Sequence, residues 1–145
     1  MTTPTPVTLA GATGLTGSSI VHSLLLSTHP FSITTLTRRP LSPSTKPQNL
    51  ETSHTNQTHS DLFGAVQASS RICASGGVYV SCLGTTRAAA GSTKNQERID
   101  LDLNRELAQK AKHDGVDTVS RRAREGGGEG AWKKGIPLID VICLV

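Results

Sequence analysis

Aromatic residues are scarce in this sequence. Two Phe, one Tyr and one Trp stand among 145 positions. Any core must therefore be packed from Leu, Ile, Val and Ala, with modest stability. No aromatics interleave with the basic residues, which argues against stacking on nucleobases and so against nucleic acid as a partner. Cysteine is sparse as well. Cys73, Cys82 and Cys143 are odd in number and contain no CxxC pair, which leaves neither a disulfide framework nor a zinc site and fits a reducing compartment. Cys143 is third from the last residue, one place short of a CaaX box, so no prenyl anchor is expected. No run of about 20 apolar residues exists to span a bilayer as a helix. The most apolar stretch, IPLIDVICLV (136–145), is too short and carries Asp140.

Acidic residues are absent from the first third. Glu51 is the first of them, and Arg38, Arg39 and Lys46 precede it without a counter-charge. A second basic patch is Arg121, Arg122 and Arg124, and the net charge is +4. Such a balance suits an anionic surface, but ordinary solvation explains it first. The first 50 residues, rich in Ser and Thr, have the composition of a mitochondrial transit segment. Their arginines are clustered, however, and the stretch contains a glycine motif of its own. It reads as folded domain, and mitochondrial association is a separate question.

That motif is what the sequence does have. VTLA (7–10) is short, apolar and β-branched, and reads as a buried strand. GATGLTG follows, with Gly11, Gly14 and Gly17 at a spacing of three. SSIVHSLLLS (18–27) then carries apolar i,i+4 pairs and reads as a helix that His29-Pro30 stops. FSITTLT (31–37) is a second strand. Strand, glycine loop, helix and strand predict a βαβ unit with a parallel sheet. In such a loop a pyrophosphate lies against the helix N-terminus, where free N–H groups and the helix dipole favour anions. Gly11 gives the tight turn, Gly14 the close approach, and Gly17 the packing of helix on strand. Thr13 and Thr16 can add hydroxyl contacts. A tight turn without a ligand is the plain alternative.

TRRP closes the second strand. An acid there would favour NAD through the ribose 2′-OH, whereas arginine accommodates the 2′-phosphate of NADP. Arg38 lies 21 residues past Gly17, and the expected cofactor is NADP. VYVSCL (78–83) is the next strand, and its exit places Leu83, Gly84 and Thr85 at the carboxyl end, where doubly wound sheets bind ligands. A plain strand-to-loop exit explains these three as well. Residues 40–61 are dominated by Pro, Ser, Thr and Asn, and read as a long loop or a poorly formed third strand. His54 and His59 within it read as solvated, not as metal ligands. A helix is expected over 96–115 with Gly115 at its C-terminal end, then a strand from Val116 that gives way to charge and glycine after Val119.

GATGLTG, TRRP, SCLGTTRAAAGS and IDLDLNRELAQKAKHDGV, in this order, resemble the fungal mitochondrial outer-membrane proteins of the found-in-mitochondrial-proteome series (member fifty-two). Those are similar to atypical short-chain dehydrogenases and to the Tat-interacting protein TIP-thirty. The likeness is weak over 40–75 and most specific at LGTTRAAAGS. It implies a Rossmann-type NADP-binding domain attached peripherally to the outer membrane on its cytosolic side. It assigns the cofactor site to Gly11, Thr13, Gly14, Leu15, Thr16, Gly17, Arg38 and Arg39. The wider family's catalytic Tyr-x-x-x-Lys does not transfer, because the one tyrosine, Tyr79, sits within a strand and Leu83 stands where the lysine would be. Ser120 stands too early on its strand to serve, so no catalytic residue is assigned.

The expectation is a partial Rossmann-type α/β domain, a doubly wound parallel sheet over 1–119 truncated after the fifth-strand position, with 40–75 poorly defined. Residues 120–145 are expected to match nothing in the family. A splice-donor consensus translates as Val-Ser in one frame, which favours intron read-through or a shifted frame over a genuine short variant with a replacement strand. Two readings compete with an NADP-dependent reductase-like protein: a non-catalytic scaffold or redox-sensing partner protein, and a fragment of a longer gene product.

Overall fold

A computed structural model of the chain describes residues 2–84 and 87–121. Strand β1 spans Thr5–Ala10, helix α1 Leu15–Leu25, β2 Phe31–Thr37, β3 Ser53–Thr58, α2 Leu62–Ala68 and β4 Val78–Ser81. Short helices α3 (Arg87–Ala90) and α4 (Thr93–Glu97) follow, then a π-helical segment over Arg98–Leu103, α5 (Asn104–His113) and β5 (Thr118–Arg121). The five strands form one sheet in the order β3-β2-β1-β4-β5, every pair parallel. This is the expected partial Rossmann-type sheet. From β1 the chain builds outward to β2 on one side and later to β4 on the other. The carboxyl ends of β1 and β4 therefore flank the point where strand order reverses.

The two faces of the sheet bury separate cores. On one, Val21 and Leu25 of α1 pack with Leu9, Ala12 and Ile33. On the other, Leu103, Leu107 and Ala111 pack with Leu36, Leu62 and Tyr79. The alternation along β2 follows, since Ile33 and Leu36 stand an odd number of residues apart and point to opposite faces.

Helix α1 begins at Leu15, three residues before the expected start, so its first turn lies inside the glycine motif. Residues 40–61 resolve into loop and then strand: β3 pairs with β2 along its whole length, from Ser32↔Ser53 to Thr37↔Thr58. Its sequence, SHTNQT, has no apolar alternation because it is an edge strand. Polar cross-strand bonds support it instead. Thr35 donates to Asn56 Oδ1 at 2.8 Å, and His54 Nε2 lies 3.0 Å from Thr35 Oγ1. Helix α2 had no sequence prediction. Its start is fixed by Asp61, whose carboxylate accepts from the N–H groups of Phe63 and Gly64.

The long helix starts at Thr93, where the Ser92 hydroxyl accepts from Asn95 N–H, and Gly115 ends it with φ +86. Strand β4 stops at Ser81, short of the expected Leu83. Strand β5 runs two residues past Val119, pairing Ser81 with Arg121. The fifth strand therefore does not fail at Val119, because ladder bonds to β4 hold it although its sequence turns polar. Most of the 120–145 tail lies outside the described residues.

Candidate functional site

The glycine loop leaves the buried end of β1 and must turn at once to enter α1. Gly11 makes that turn with φ +84, a conformation that side-chain-bearing residues rarely adopt. The loop also presses on the end of β4: a Cβ on Gly11 would lie 2.7 Å from the Cys82 carbonyl carbon. A Cβ on Gly17 would lie 2.2 Å from Gly11 O and 2.8 Å from Ala12 Cα. Gly17 thus packs α1 onto the loop's own backbone, where the sequence suggested packing on the strand. Gly14 differs. A Cβ there would meet only Gly11 O at 3.5 Å, an ordinary contact.

Gly14 is also the N-cap of α1, so the cap position supplies no side-chain hydrogen bond to the first N–H groups of the helix, and its first turn holds no acid. Helices α2 and α4 are both capped by side chains, those of Asp61 and Ser92. The first turn of α1 thus carries no acid of its own to oppose the positive end of the helix dipole, which suits a phosphate.

A crevice of about 100 Å³ opens beside it. Of the residues assigned from sequence, Gly11, Thr13, Gly14, Arg38, Leu83 and Gly84 line it. Leu15, Thr16, Gly17 and Arg39 do not. Leu15 projects from the first turn of α1 and is 91% exposed. Gly17 is buried against the loop, and Arg39 is exposed just beyond β2, its carbonyl accepting from Thr37 Oγ1 at 2.6 Å. Thr85 lies outside the described residues. Leu36, Thr37, Leu62 and Cys82 also line the crevice, and the sequence reading missed them. Leu36 and Leu62 are buried and give it an apolar floor. The rule that ligands meet the carboxyl ends of parallel strands identifies Leu36, Thr37 and Cys82 once the strands are placed. Leu62 needed the third strand as well.

The far rim is braced from behind. Ser81, at the end of β4, donates its hydroxyl to Asn104 Oδ1, and Leu83 N–H donates to Ser81 Oγ at 3.4 Å. The Asn104 amide donates to the carbonyls of Ile99 and Asp100 at 3.3 and 3.2 Å. These carbonyls belong to the π-helical segment, whose widened turn departs from regular α-helical bonding. One buried amide so ties the irregular helix to the strand end that carries Leu83 and Gly84. Tyr79 is fully buried, packed with Leu107 and Ala111 in the core on the α2 and α5 side of the sheet.

Burial raises the Cys73 thiol to about 11, a shift that the Asp114 charge reinforces and a hydrogen bond with Thr8 opposes. Cys82 is only half-buried. Thiol labelling of the native protein at pH 8, mapped by peptide mass spectrometry, is therefore expected to modify Cys82 well before Cys73. Equal rates would contradict the packing around Cys73. Burial likewise lowers the pKa of His54. Among the described residues no group of three or more His, Cys, Asp or Glu side chains is placed to hold a metal ion. No described helix is long and apolar enough to cross a membrane.

A larger groove, about 430 Å³, lies between α2 and α5, lined by Phe63, Arg98, Asp102, Arg105 and Glu106 among others. The Arg98 guanidinium sits 4.7 Å from the Phe63 ring centroid. None of its lining residues belongs to the glycine loop or to a strand end, so it is separate from the crevice at the β1/β4 switch point.

No protein-family model matches the chain. It is similar to fungal proteins named Fmp52, mitochondrial. It is 37% identical to the one from Emericella nidulans over 115 residues, covering 76% of this chain and 46% of that protein. It is 41% identical to the Candida albicans protein over 110 residues, 74% of this chain and 45% of that protein. The Aspergillus terreus protein named fmp52-2, mitochondrial, is 36% identical over 134 residues, 92% of this chain and 55% of that protein. The chain thus spans about half the length of these relatives. A match covering 92% of the chain must run past Val119. That alignment therefore takes in part of residues 120–145, which were expected to match nothing, whereas the alignments with the Emericella and Candida proteins cover 76% and 74% of the chain.

Proposed function

We propose that this chain is a member of the Fmp52 family that binds NADP in the crevice at the β1/β4 switch point, as a reductase-like protein held peripherally at the mitochondrial outer membrane. One observation carries the cofactor reading: the uncapped N-terminus of α1 and the Arg38 residue that follows β2 border the same crevice. A dinucleotide phosphate needs both features, one for the pyrophosphate and one for the 2′-phosphate. Gly11, Thr13 and Gly14 would hold the pyrophosphate, Arg38 the 2′-phosphate, and Leu36 with Leu62 would give the adenine an apolar seat. When bound, the cofactor supplies hydride chemistry. The mitochondrial location rests on the names of the relatives.

The burial of Tyr79 favours a second reading. The single tyrosine of the chain stands in the core, away from the crevice, so a binding or scaffold role in which cofactor only stabilises the fold accounts for the same site. Oxidation of NADPH with a panel of carbonyl substrates separates the two readings.

Arg38→Asp tests the cofactor assignment directly. It removes a charge-assisted contact and adds a carboxylate that repels the 2′-phosphate. NADPH affinity is expected to fall by about 10-fold to 100-fold while NADH affinity holds or rises. Equal losses for the two cofactors would dissociate Arg38 from the 2′-phosphate.

A further inference from the structure

The segment after β2 reads RRPLSPS (38–44). Arg39 precedes Ser42 by three residues, and Pro43 follows it directly. A basic residue at that distance and a proline immediately after are features by which protein kinases choose a serine. Proline also biases the residue before it toward extended backbone, the form in which a substrate segment enters a kinase cleft. Ser42 is exposed, lies outside any helix or strand, and makes no hydrogen bond among the described residues.

Its surroundings are fixed. Thr37 Oγ1 holds the Arg39 carbonyl at 2.6 Å, Leu41 packs against the α1 face of the sheet, and the Thr45 hydroxyl lies 2.9 Å from His22 Nδ1 of α1. Ser42 therefore sits between anchored points, within about 11 Å of Arg39 even at full extension. Arg38 and Arg39 are exposed and enter no salt bridge among the described residues. No acidic residue precedes Glu51 to compete for them.

We propose that Ser42 is a phosphorylation site whose phosphate is taken up by Arg38 and Arg39 and so opposes binding of the NADP 2′-phosphate. The co-reactants are ATP and a proline-directed protein kinase. The Ser42 oxygen attacks the γ-phosphorus, the bond to the bridging oxygen breaks, ADP leaves with that electron pair, and the hydroxyl proton passes to the kinase base. The product carries close to two negative charges at neutral pH and pairs with guanidinium in charge-assisted, bidentate fashion. Two anions then compete for Arg38. Only the cofactor bearing a 2′-phosphate is affected, so the modification shifts preference from NADPH toward NADH. The competition rests on the NADP reading above; the contact between phosphate and arginine does not.

The test treats the full chain with such a kinase and ATP, maps the site by mass spectrometry, and compares Ser42→Ala. Incorporation at Ser42 is expected, and incorporation only elsewhere, Ser44 included, overturns the site. The ³¹P resonance of phosphoserine is then titrated in the folded protein, in urea, and in an Arg38→Ala/Arg39→Ala variant. The folded protein is expected to titrate lower than the other two, because nearby guanidinium favours the dianion. Identical titrations overturn the contact. NADPH affinity is expected to weaken about tenfold or more on phosphorylation, with NADH within about twofold. Equal weakening of both overturns the competition. If the unmodified protein does not discriminate NADPH from NADH, the cofactor reading fails and the competition with it, and the ³¹P titration still decides the contact.

Discussion

Gly17→Ala is expected to destabilise the domain by at least about 3 kcal/mol, at the upper end of what overpacking costs in a closed site. The added Cβ would lie 2.2 Å from Gly11 O, well inside contact distance, and the obstructing atoms are backbone. No rotamer change relieves such a clash. Relief requires α1 to move off the loop, and α1 supplies Val21 and Leu25 to one of the two cores. A domain with so few aromatics has modest stability to lose, so the variant is expected to be largely unfolded at 37 °C. Gly14→Ala is the matched control. Its Cβ would meet only Gly11 O at 3.5 Å, and an alanine N-cap costs about 1 kcal/mol. The methyl group would nevertheless stand at the open terminus of α1. Urea denaturation is expected to separate the two by about 2 kcal/mol or more, and NADPH binding is expected to fall in the folded Gly14→Ala protein. Equal destabilisation would show that both glycines serve packing alone.

These glycines also mark how far the sequence could be read. The unit from β1 to β2 was legible because each of its signals is local: a β-branched run, glycines at a spacing that only backbone contact demands, i,i+4 apolar pairs, and a His-Pro stop. The strand FSITTLT was placed to the residue. The third strand was not, because SHTNQT draws its support from hydrogen bonds with Thr35 and Thr37, residues some 20 positions away in sequence, and these leave no apolar alternation behind. Helix α2 escaped for a related reason. It has seven residues and buries only Leu62, too little for a periodic pattern, although Asp61 at its cap was a usable sign. In the crevice, Gly11, Gly14 and Arg38 were legible because their residue types are chemically demanding. Leu15 was assigned by its neighbours in the motif, yet the start of α1 there turns its side chain out to solvent. Leu36 and Leu62 carry no distinguishing chemistry, and only the convergence of strand ends makes them part of a site.

Asp114 is the second position where one substitution is expected to have a large effect. Its side chain is only 2% exposed. The carboxylate accepts from the N–H groups of Ile72 and Cys73 at 2.8 and 3.0 Å and from Lys110 Nζ at 2.7 Å. The Asp114 carbonyl accepts from Arg71, and Lys110 also donates to the Ser70 carbonyl. A single residue at the end of α5 thus satisfies the backbone of the turn that delivers the chain into β4. Burial alone would raise the Asp114 pKa. The Lys110 hydrogen bond and the two backbone donors outweigh it and hold the carboxyl below its ordinary value. Asp114→Ala leaves two buried N–H groups unpaired and the Lys110 ammonium without its counter-charge, and is expected to cost about 3 to 5 kcal/mol. Asp114→Asn keeps an acceptor oxygen, removes the charge, and is expected to cost less. The pH dependence carries the sign. A carboxyl whose folded pKa is depressed contributes its full stability above its unfolded value and loses it as pH falls through the folded one. The stability gap between wild type and Asp114→Asn is therefore expected to be widest above about pH 5 and to narrow steadily on acidification. Denaturant midpoints taken across that range decide the matter. A gap that stays constant would assign the role of Asp114 to shape and hydrogen-bond count, with no contribution from its charge.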